Sequence, residues 1–317
     1  MLISKKGGDP LSTSSTFGII KTMRKRLLWL VPPSLFLCPP PPLKFRLTRW
    51  ASESEDEAWR DHDLLKTLDS ALISSSESLA ETVNKEGVAL VDCVLEETER
   101  LRDFILENEA FETSAVLGEL DDDEKVARFD LRLPYEPIVK ESLENILKGP
   151  LGRAFADLAT EEAELYELAA LVSLPGSPPQ PLHSDTLWDD QASLFTAFVA
   201  LQDIPNITYG PTRFLLRTHH DSDFSDLLDD ASSWTERRTL LKRADPKVAL
   251  LKKGEAALYD GRLLHCGTPN TSLDMKRVLF YVTFRHPEGD IDLGNDEAHS
   301  ICSMLQAKGL RLKDFLL

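Results

Sequence analysis

Pro179-Gln180-Pro181-Leu182-His183-Ser184-Asp185-Thr186 sets a histidine and an aspartate two residues apart in a stretch flanked by β-type sequence. In an extended chain, positions i and i+2 project from the same face. One imidazole nitrogen and one carboxylate oxygen can therefore reach a single cation. A second imidazole from a neighbouring strand would complete a three-ligand set. His265 supplies it, within Leu258-Tyr259-Asp260-Gly261-Arg262-Leu263-Leu264-His265-Cys266-Gly267.

Outward from this pair the sequence reads as β structure. Segments 165–173, 194–203, 255–260 and 277–285 are short runs rich in β-branched, aromatic and small apolar residues, separated by Pro, Gly, Asn and Asp clusters. Such spacing predicts an antiparallel sandwich or barrel. Upstream, Leu64, Leu65, Leu68, Leu72 and Ile73 recur at helical spacing, so 57–83 reads as helical. Val88-Ala89-Leu90-Val91 is a short strand, 96–108 an amphipathic helix, 129–133 a half-buried strand and 137–160 helical again. Residues 221–243 form a polar, partly helical insertion. The plan is mainly β with flanking α: N-terminal helices, then a β-barrel-like core.

Two histidines and a carboxylate occupy one face of an octahedral ion. Three positions stay open for a bidentate co-substrate and O2, the pattern of non-haem Fe(II) oxygenases, with zinc the weaker fit. Arg277 stands twelve residues after His265, at the start of a strand-like run. Its guanidinium can pair bidentately with the distal carboxylate of 2-oxoglutarate, or it can serve a structural salt bridge. Two other readings compete. A cupin-like metal enzyme would use the triad without 2-oxoglutarate, and a non-catalytic binding protein would keep only the fold.

The order of these residues resembles the phytanoyl-CoA dioxygenase family. The likeness is carried by His183-Ser184-Asp185, Ala197-Phe198-Val199-Ala200-Leu201-Gln202-Asp203-Ile204, Gly210-Pro211-Thr212-Arg213-Phe214, Thr218-His219, His265, Asn270 and Arg277. It spans about 84–287, opening at Glu86-Gly87-Val88-Ala89-Leu90-Val91. It implies a double-stranded β-helix (jelly-roll, cupin-like) with helices on one side. It further implies iron held by His183, Asp185 and His265, and 2-oxoglutarate held by Arg277, with Thr268 adding a hydroxyl and Phe198 walling the pocket. The implied chemistry is hydroxylation of a C–H bond in a small organic substrate, with succinate and CO2 released. Asp185 is present, so no metal position opens for a halide. Two departures stand out. Leu216-Arg217 replaces the family's Pro-Gly before Thr218-His219, which argues against a tight turn. Gly267 replaces a frequent Ser and removes a hydroxyl from the co-substrate site. His219 and His220 read as hydrogen-bonding or surface residues, and Trp188 as either packing or a border of the pocket mouth.

Composition narrows the partners. The net charge of -17 opposes nucleic acid and anionic membranes as general partners. Cys38, Cys93, Cys266 and Cys302 include no CxxC pair, which argues against a disulfide framework or a structural zinc site. Charge also marks a boundary. Residues 1–52 hold nine Lys or Arg and one acid, Asp9, whereas the remainder holds 27 basic and 52 acidic residues. The basic cluster at 21–26 precedes an apolar run, 27–38, too short for a membrane span. Residues 1–52 therefore read as a secretory signal, as an organelle transit peptide (plastid or mitochondrion), or as a disordered extension on a cytoplasmic protein. Residues 53–317 read as the oxygenase domain.

Overall fold

The computed structural model describes residues 64–68, 78–92, 95–107, 113–117, 128–186, 188–289 and 300–316. All of them belong to one unit, Pro42–Leu317. The basic extension 1–52 and the acidic run Asp121–Glu124 lie outside the described residues.

Two sheets build the core. Four strands form the smaller: β1 (Lys66–Thr67), β8 (Pro246–Val248), β7 (Thr212–Leu215) and β10 (His265–Gly267), in that order. Seven antiparallel strands form the larger: β2 (Val88–Val91), β9 (Ala256–Asp260), β6 (Leu194–Ala200), β11 (Arg277–Arg285), β5 (Glu164–Ser173), β4 (Arg128–Arg132) and β3 (Thr113–Leu117). This is the jelly-roll, double-stranded β-helix that the family resemblance implies.

Strand alternation splits the large sheet into two faces. The outer face presents Leu168, Ala170, Val172, Phe195, Val199, Val278, Phe280 and Val282 to helices. These are α2 (Thr98–Glu107), α3 (Pro137–Leu147) and α4 (Pro150–Ala159). Phe155 of α4 meets Phe284 of β11 at 4.9 Å between ring centroids. Each such buried aromatic stabilises the fold by about 1.5–3 kcal/mol. The inner face carries Ala169, Leu171, Phe198, Ala257, Tyr259, Leu279 and Tyr281, packed against Phe214 of the small sheet.

Local signals set the helix ends. Ser78 and Glu81 form a reciprocal capping box at the start of α1 (Leu79–Glu86). Gly87 then ends that helix at φ 91°. A Cβ there would lie 2.4 Å from Leu263 Cδ1 and 2.8 Å from His219 Nδ1, so only glycine fits. Helices α3 and α4 divide at Gly149, because Pro150 restarts the helix at its first turn. The insertion folds as α5 (Phe224–Asp230) and α6 (Trp234–Arg243), as its pattern predicts.

Leu64 to Leu68 differ from expectation. Their spacing predicts a helix, yet Lys66–Thr67 pair in parallel with Lys247–Val248 of β8. Leu64 and Leu68 are buried in two different apolar clusters, where tertiary packing overrides the local helical period. The helix expected over 57–83 is described only from Leu79. The strands expected at 88–91 and from Phe129 are present as β2 and β4, and β3, an unexpected strand, pairs with β4 at the end of the large sheet.

Candidate metal centre

His183 and His265 are backbone partners. His183 N–H donates to the His265 carbonyl at 3.0 Å, and His265 N–H donates back at 2.8 Å. This pairing sets the two rings side by side, 4.5 Å between centroids. Asp185 N–H donates to Gly261 O at 2.8 Å, which turns its carboxylate toward the same space. Donor atoms of the three side chains all lie within 4.8 Å of one another.

The tautomers follow from the backbone. His183 Nδ1 lies 2.8 Å from Pro181 O, and His265 Nδ1 lies 2.9 Å from Leu263 O. A carbonyl can only accept, so each Nδ1 carries the proton and each Nε2 keeps its lone pair. Those Nε2 atoms face Asp185 Oδ1 at 4.0 and 3.6 Å. Asp185 Oδ2 accepts from the Tyr259 hydroxyl at 2.9 Å, which leaves Oδ1 to face the cation site. Burial pushes both imidazoles down to about 4, with the neighbouring ring adding to the effect at His183. Both are neutral at physiological pH, the form a metal needs. Burial also raises the Asp185 carboxyl.

Arg277 is the first residue of β11. It is fully buried. Its Nη1 donates to Gly210 O, while Nε and Nη2 find no partner among the described residues. Burial, and then the Arg128 guanidinium, pull its pKa well below the usual arginine range.

Arg128 is the residue that sequence reading missed. It too is fully buried. Register brings the two arginines to one row, because Arg128 pairs with Ser173 and Ser173 pairs with Arg277. Arg128 Nε donates to Ser173 Oγ at 3.2 Å and Nη2 to Thr268 O at 2.9 Å, and Nη1 finds no partner among the described residues. Burial pulls its pKa down to about 10. The strand expected from Phe129 in fact starts at Arg128, one residue earlier. A lone arginine ahead of an alternating run was the available signal.

The two departures find explanations here. A Cβ at Gly267 would lie 2.6 Å from Gln180 Oε1 and 2.9 Å from Arg128 Cζ. The guanidinium fills the space a serine side chain would need. The turn before Thr218-His219 is present after all. Arg217 adopts the left-handed conformation at φ 66° and is held by Glu86, whose carboxylate accepts from Nη1 at 2.5 Å. A short 3-10 turn, Thr218–His220, follows it.

The remaining expected residues take structural contacts. Thr268 donates its hydroxyl proton to Pro211 O at 2.7 Å and meets Arg128 through its carbonyl. Phe198 packs between Tyr259 and Tyr281, with centroids 5.2 and 5.6 Å away, on the inner face. Asn270 is buried and ties the β10–β11 turn to Ser173 O and Met275 O. His219 is buried with Nε2 3.0 Å from Asn84 O. The exposed Trp188 donates to the His219 carbonyl.

A family model described as phytanoyl-CoA dioxygenase (PhyH) matches residues 74–278. Solved structures are similar to the chain at low identity. The non-haem alpha ketoglutarate dependent epimerase SnoN from nogalamycin biosynthesis is 18% identical at TM-score 0.50, covering 65% of this chain and 81% of that one. AviO1 from Streptomyces viridochromogenes Tue57 is 18% identical at TM-score 0.48, covering 71% and 98%. No curated protein matches the chain. The match runs over most of the described barrel and includes His183, Asp185, His265 and Arg277, so the chain belongs to the phytanoyl-CoA dioxygenase family of Fe(II)- and 2-oxoglutarate-dependent oxygenases.

Proposed function

We propose that His183, Asp185 and His265 ligate Fe(II), that Arg277 and Arg128 anchor 2-oxoglutarate, and that the enzyme hydroxylates a C–H bond of a small organic substrate. The observation that carries this reading is the pair of buried guanidinium groups with unpartnered N–H donors, Arg128 acting electrostatically on His183, together with three converging metal-ligand side chains. An unpaired buried charge costs several kcal/mol. A carboxylate held by the arginines would remove that penalty.

The donor set fits iron. Two neutral imidazole lone pairs and one carboxylate oxygen converge from one side, which leaves the opposite side for other ligands. Iron held by these residues would supply, with 2-oxoglutarate and O2, the oxidising power for C–H hydroxylation, with succinate and CO2 as co-products.

The chain's own residues do the positioning. Pro181 O and Leu263 O fix the ring tautomers. Tyr259 holds Asp185 to a single free oxygen. Arg277, and Arg128 across Ser173, orient the distal carboxylate by charge-assisted hydrogen bonds. Phe198, Leu171 and Leu279 supply apolar walls that limit water. The basic extension 1–52 fits an address read before maturation, to be tested by locating a tagged full-length chain in cells.

Anaerobic titration with Fe(II), with and without 2-oxoglutarate, tests the reading. A weak visible charge-transfer band that needs both, and that fades in Arg277→Ala, is the expected result. Iron binding with no band would indicate a cupin-like metal enzyme of another class. No iron binding would overturn the ligand assignment. Turnover that consumes 2-oxoglutarate without adding oxygen to product would overturn hydroxylation.

A further inference from the structure

The arginine row does not end at Arg277. Leu279 of β11 faces Ala200 of β6, and the Leu201 N–H donates to the Val278 carbonyl at 3.2 Å, so pairing continues past the last residue of β6. The next position in this register, Gln202, falls opposite Arg277. Alternation sets it on the inner face with Phe198 and Ala200. The row therefore runs Arg128, Ser173, Arg277, Gln202. Gln202 also opens the loop 202–210, which returns to Arg277 where Gly210 O accepts from Nη1. Arg277 is thus held between the two ends of one loop.

Gln202 is buried, with 6% of its surface exposed. A backbone donor fixes which way its amide faces. The Val278 N–H meets Oε1 at 3.3 Å and can only donate, so that atom is the carbonyl oxygen and the other is the amide nitrogen. Nε2 finds no partner among the described residues. A buried amide donor without an acceptor is unfavourable, so its presence calls for a group from outside the chain. Its neighbours have the same need, at Arg277 Nε and Nη2 and at Arg128 Nη1. Every one of these unpaired atoms is a donor. A carboxylate, with two oxygens and about four lone-pair sites, can accept from all three residues. We infer that Gln202 is a further co-substrate contact, its Nε2–H donating to the same distal carboxylate that Arg277 and Arg128 hold. The inference rests on 2-oxoglutarate binding at the arginine row.

The amide and the guanidinium groups differ in what they supply. The arginines bring charge. Gln202 adds a donor without adding a third positive charge to two cations that already repel each other. Its carbonyl is tied to β11, the strand that carries Arg277, so the donor is aimed before the ligand arrives. Such preorganisation lowers the ordering cost of binding.

Melting and binding measurements on the full chain with Gln202→Glu test this. One carboxylate oxygen can still accept from the Val278 N–H, while the other takes the place of Nε2. With Nε2 facing the arginines, that oxygen supplies the missing anion from within the chain. The metal-free variant should then melt above the wild type. In its iron-loaded form, 2-oxoglutarate should no longer raise Tm, and anaerobic calorimetry should show binding weakened by more than about 100-fold, from like-charge repulsion. Gln202→Met keeps the length of the side chain and removes the donor. It should weaken 2-oxoglutarate by about tenfold and leave Fe(II) affinity unchanged in equilibrium dialysis. Any cost of the lost Val278 contact appears in its ligand-free Tm and is separated from the co-substrate effect. A purely structural Gln202 predicts the opposite for Gln202→Glu, because a buried carboxylate without a cation lowers the metal-free Tm. That result, or affinity within about twofold of wild type in Gln202→Met, would overturn the inference. A wild type that binds iron but gives no response to 2-oxoglutarate would instead overturn the co-substrate reading, and metal-free melting of Gln202→Glu would still decide whether the amide faces the arginines.

Discussion

The two ends of one sheet face carry opposite chemistry. At one end, Arg128, Ser173 and Arg277 share a row whose guanidinium N–H groups are left without partners among the described residues. At the other, Glu167, Thr283, Thr196 and Tyr259 share a row in which Thr283 donates to Glu167 and meets Thr196, and Tyr259 donates to Asp185. Both rows are polar groups set into an otherwise apolar wall. The first is incomplete by a negative charge and so specifies a ligand. The second requires each hydroxyl to find its partner within the protein, and through Tyr259 it holds Asp185. Burial makes both requirements strict, because an unsatisfied polar group away from water costs about 1–3 kcal/mol and a charged one more.

The candidate metal centre joins the second row through Asp185, and removing it is the largest expected effect. Substituting His183, Asp185 or His265 by Ala should weaken Fe(II) binding by more than about 100-fold, since even outer-shell partners are worth about 10–100-fold. Equilibrium dialysis of iron checks this. Near-wild-type affinity in any of the three would break the comparison at its centre.

Acid pH separates the two ends next. Each imidazole sits at about 4 against an ordinary 6.5, so the folded chain binds fewer protons there than the unfolded chain. Their contribution is full above about 6.5 and is lost as pH falls through about 4, up to roughly 3 kcal/mol for each imidazole. Glu167 runs the other way. Its raised pKa makes its contribution full below about 4.5 and lost as pH rises through about 7. Metal-free wild type should therefore gain stability from pH 4 to 6.5 in urea unfolding, and Glu167→Gln should gain more steeply near neutrality. Arg277→Ala should leave the shape of this profile unchanged.

The arginine end is then probed by its missing anion. In the iron-loaded protein, 2-oxoglutarate should raise Tm in the wild type and much less in Arg277→Ala or Arg128→Ala, by mass action. Loss of one charge-assisted anchor should weaken co-substrate binding by about 10–100-fold, the equivalent of 1.5–3 kcal/mol. Arg277→Lys should fall between, because an ammonium cannot reproduce the bidentate fork. A normal Tm response in Arg128→Ala would leave Arg277 as the single anchor.

The smallest expected effect sharpens the link between Gly267 and Arg128. Gly267→Ser forces a Cβ to within 2.9 Å of Arg128 Cζ and should weaken 2-oxoglutarate binding by displacing that guanidinium. A loss of about tenfold is expected, and little further loss when the change is added to Arg128→Ala, because contacting residues are not additive. Additive losses in calorimetric titration would separate the two residues.

Much of the site was legible in one dimension. The i, i+2 spacing of His183 and Asp185, the return of a histidine at 265 and an arginine opening the next strand all survive as geometry. The strand Arg277–Arg285 has the bounds its run of β-branched and aromatic residues predicts. These readings hold because period-two alternation is local and is written in neighbouring residues. Tertiary structure decided the rest. It made a strand of Lys66–Thr67 despite helical spacing, since a parallel partner at Lys247–Val248 and two buried leucines outweigh local preference. It gave Arg217 a glycine-like conformation by holding it to Glu86 across 131 positions of chain. It set Arg128 beside Arg277, and Thr283 and Thr196 in one row between Glu167 and Tyr259, through strand register. Register depends on how distant strands pair in space, and no single stretch of sequence carries that information.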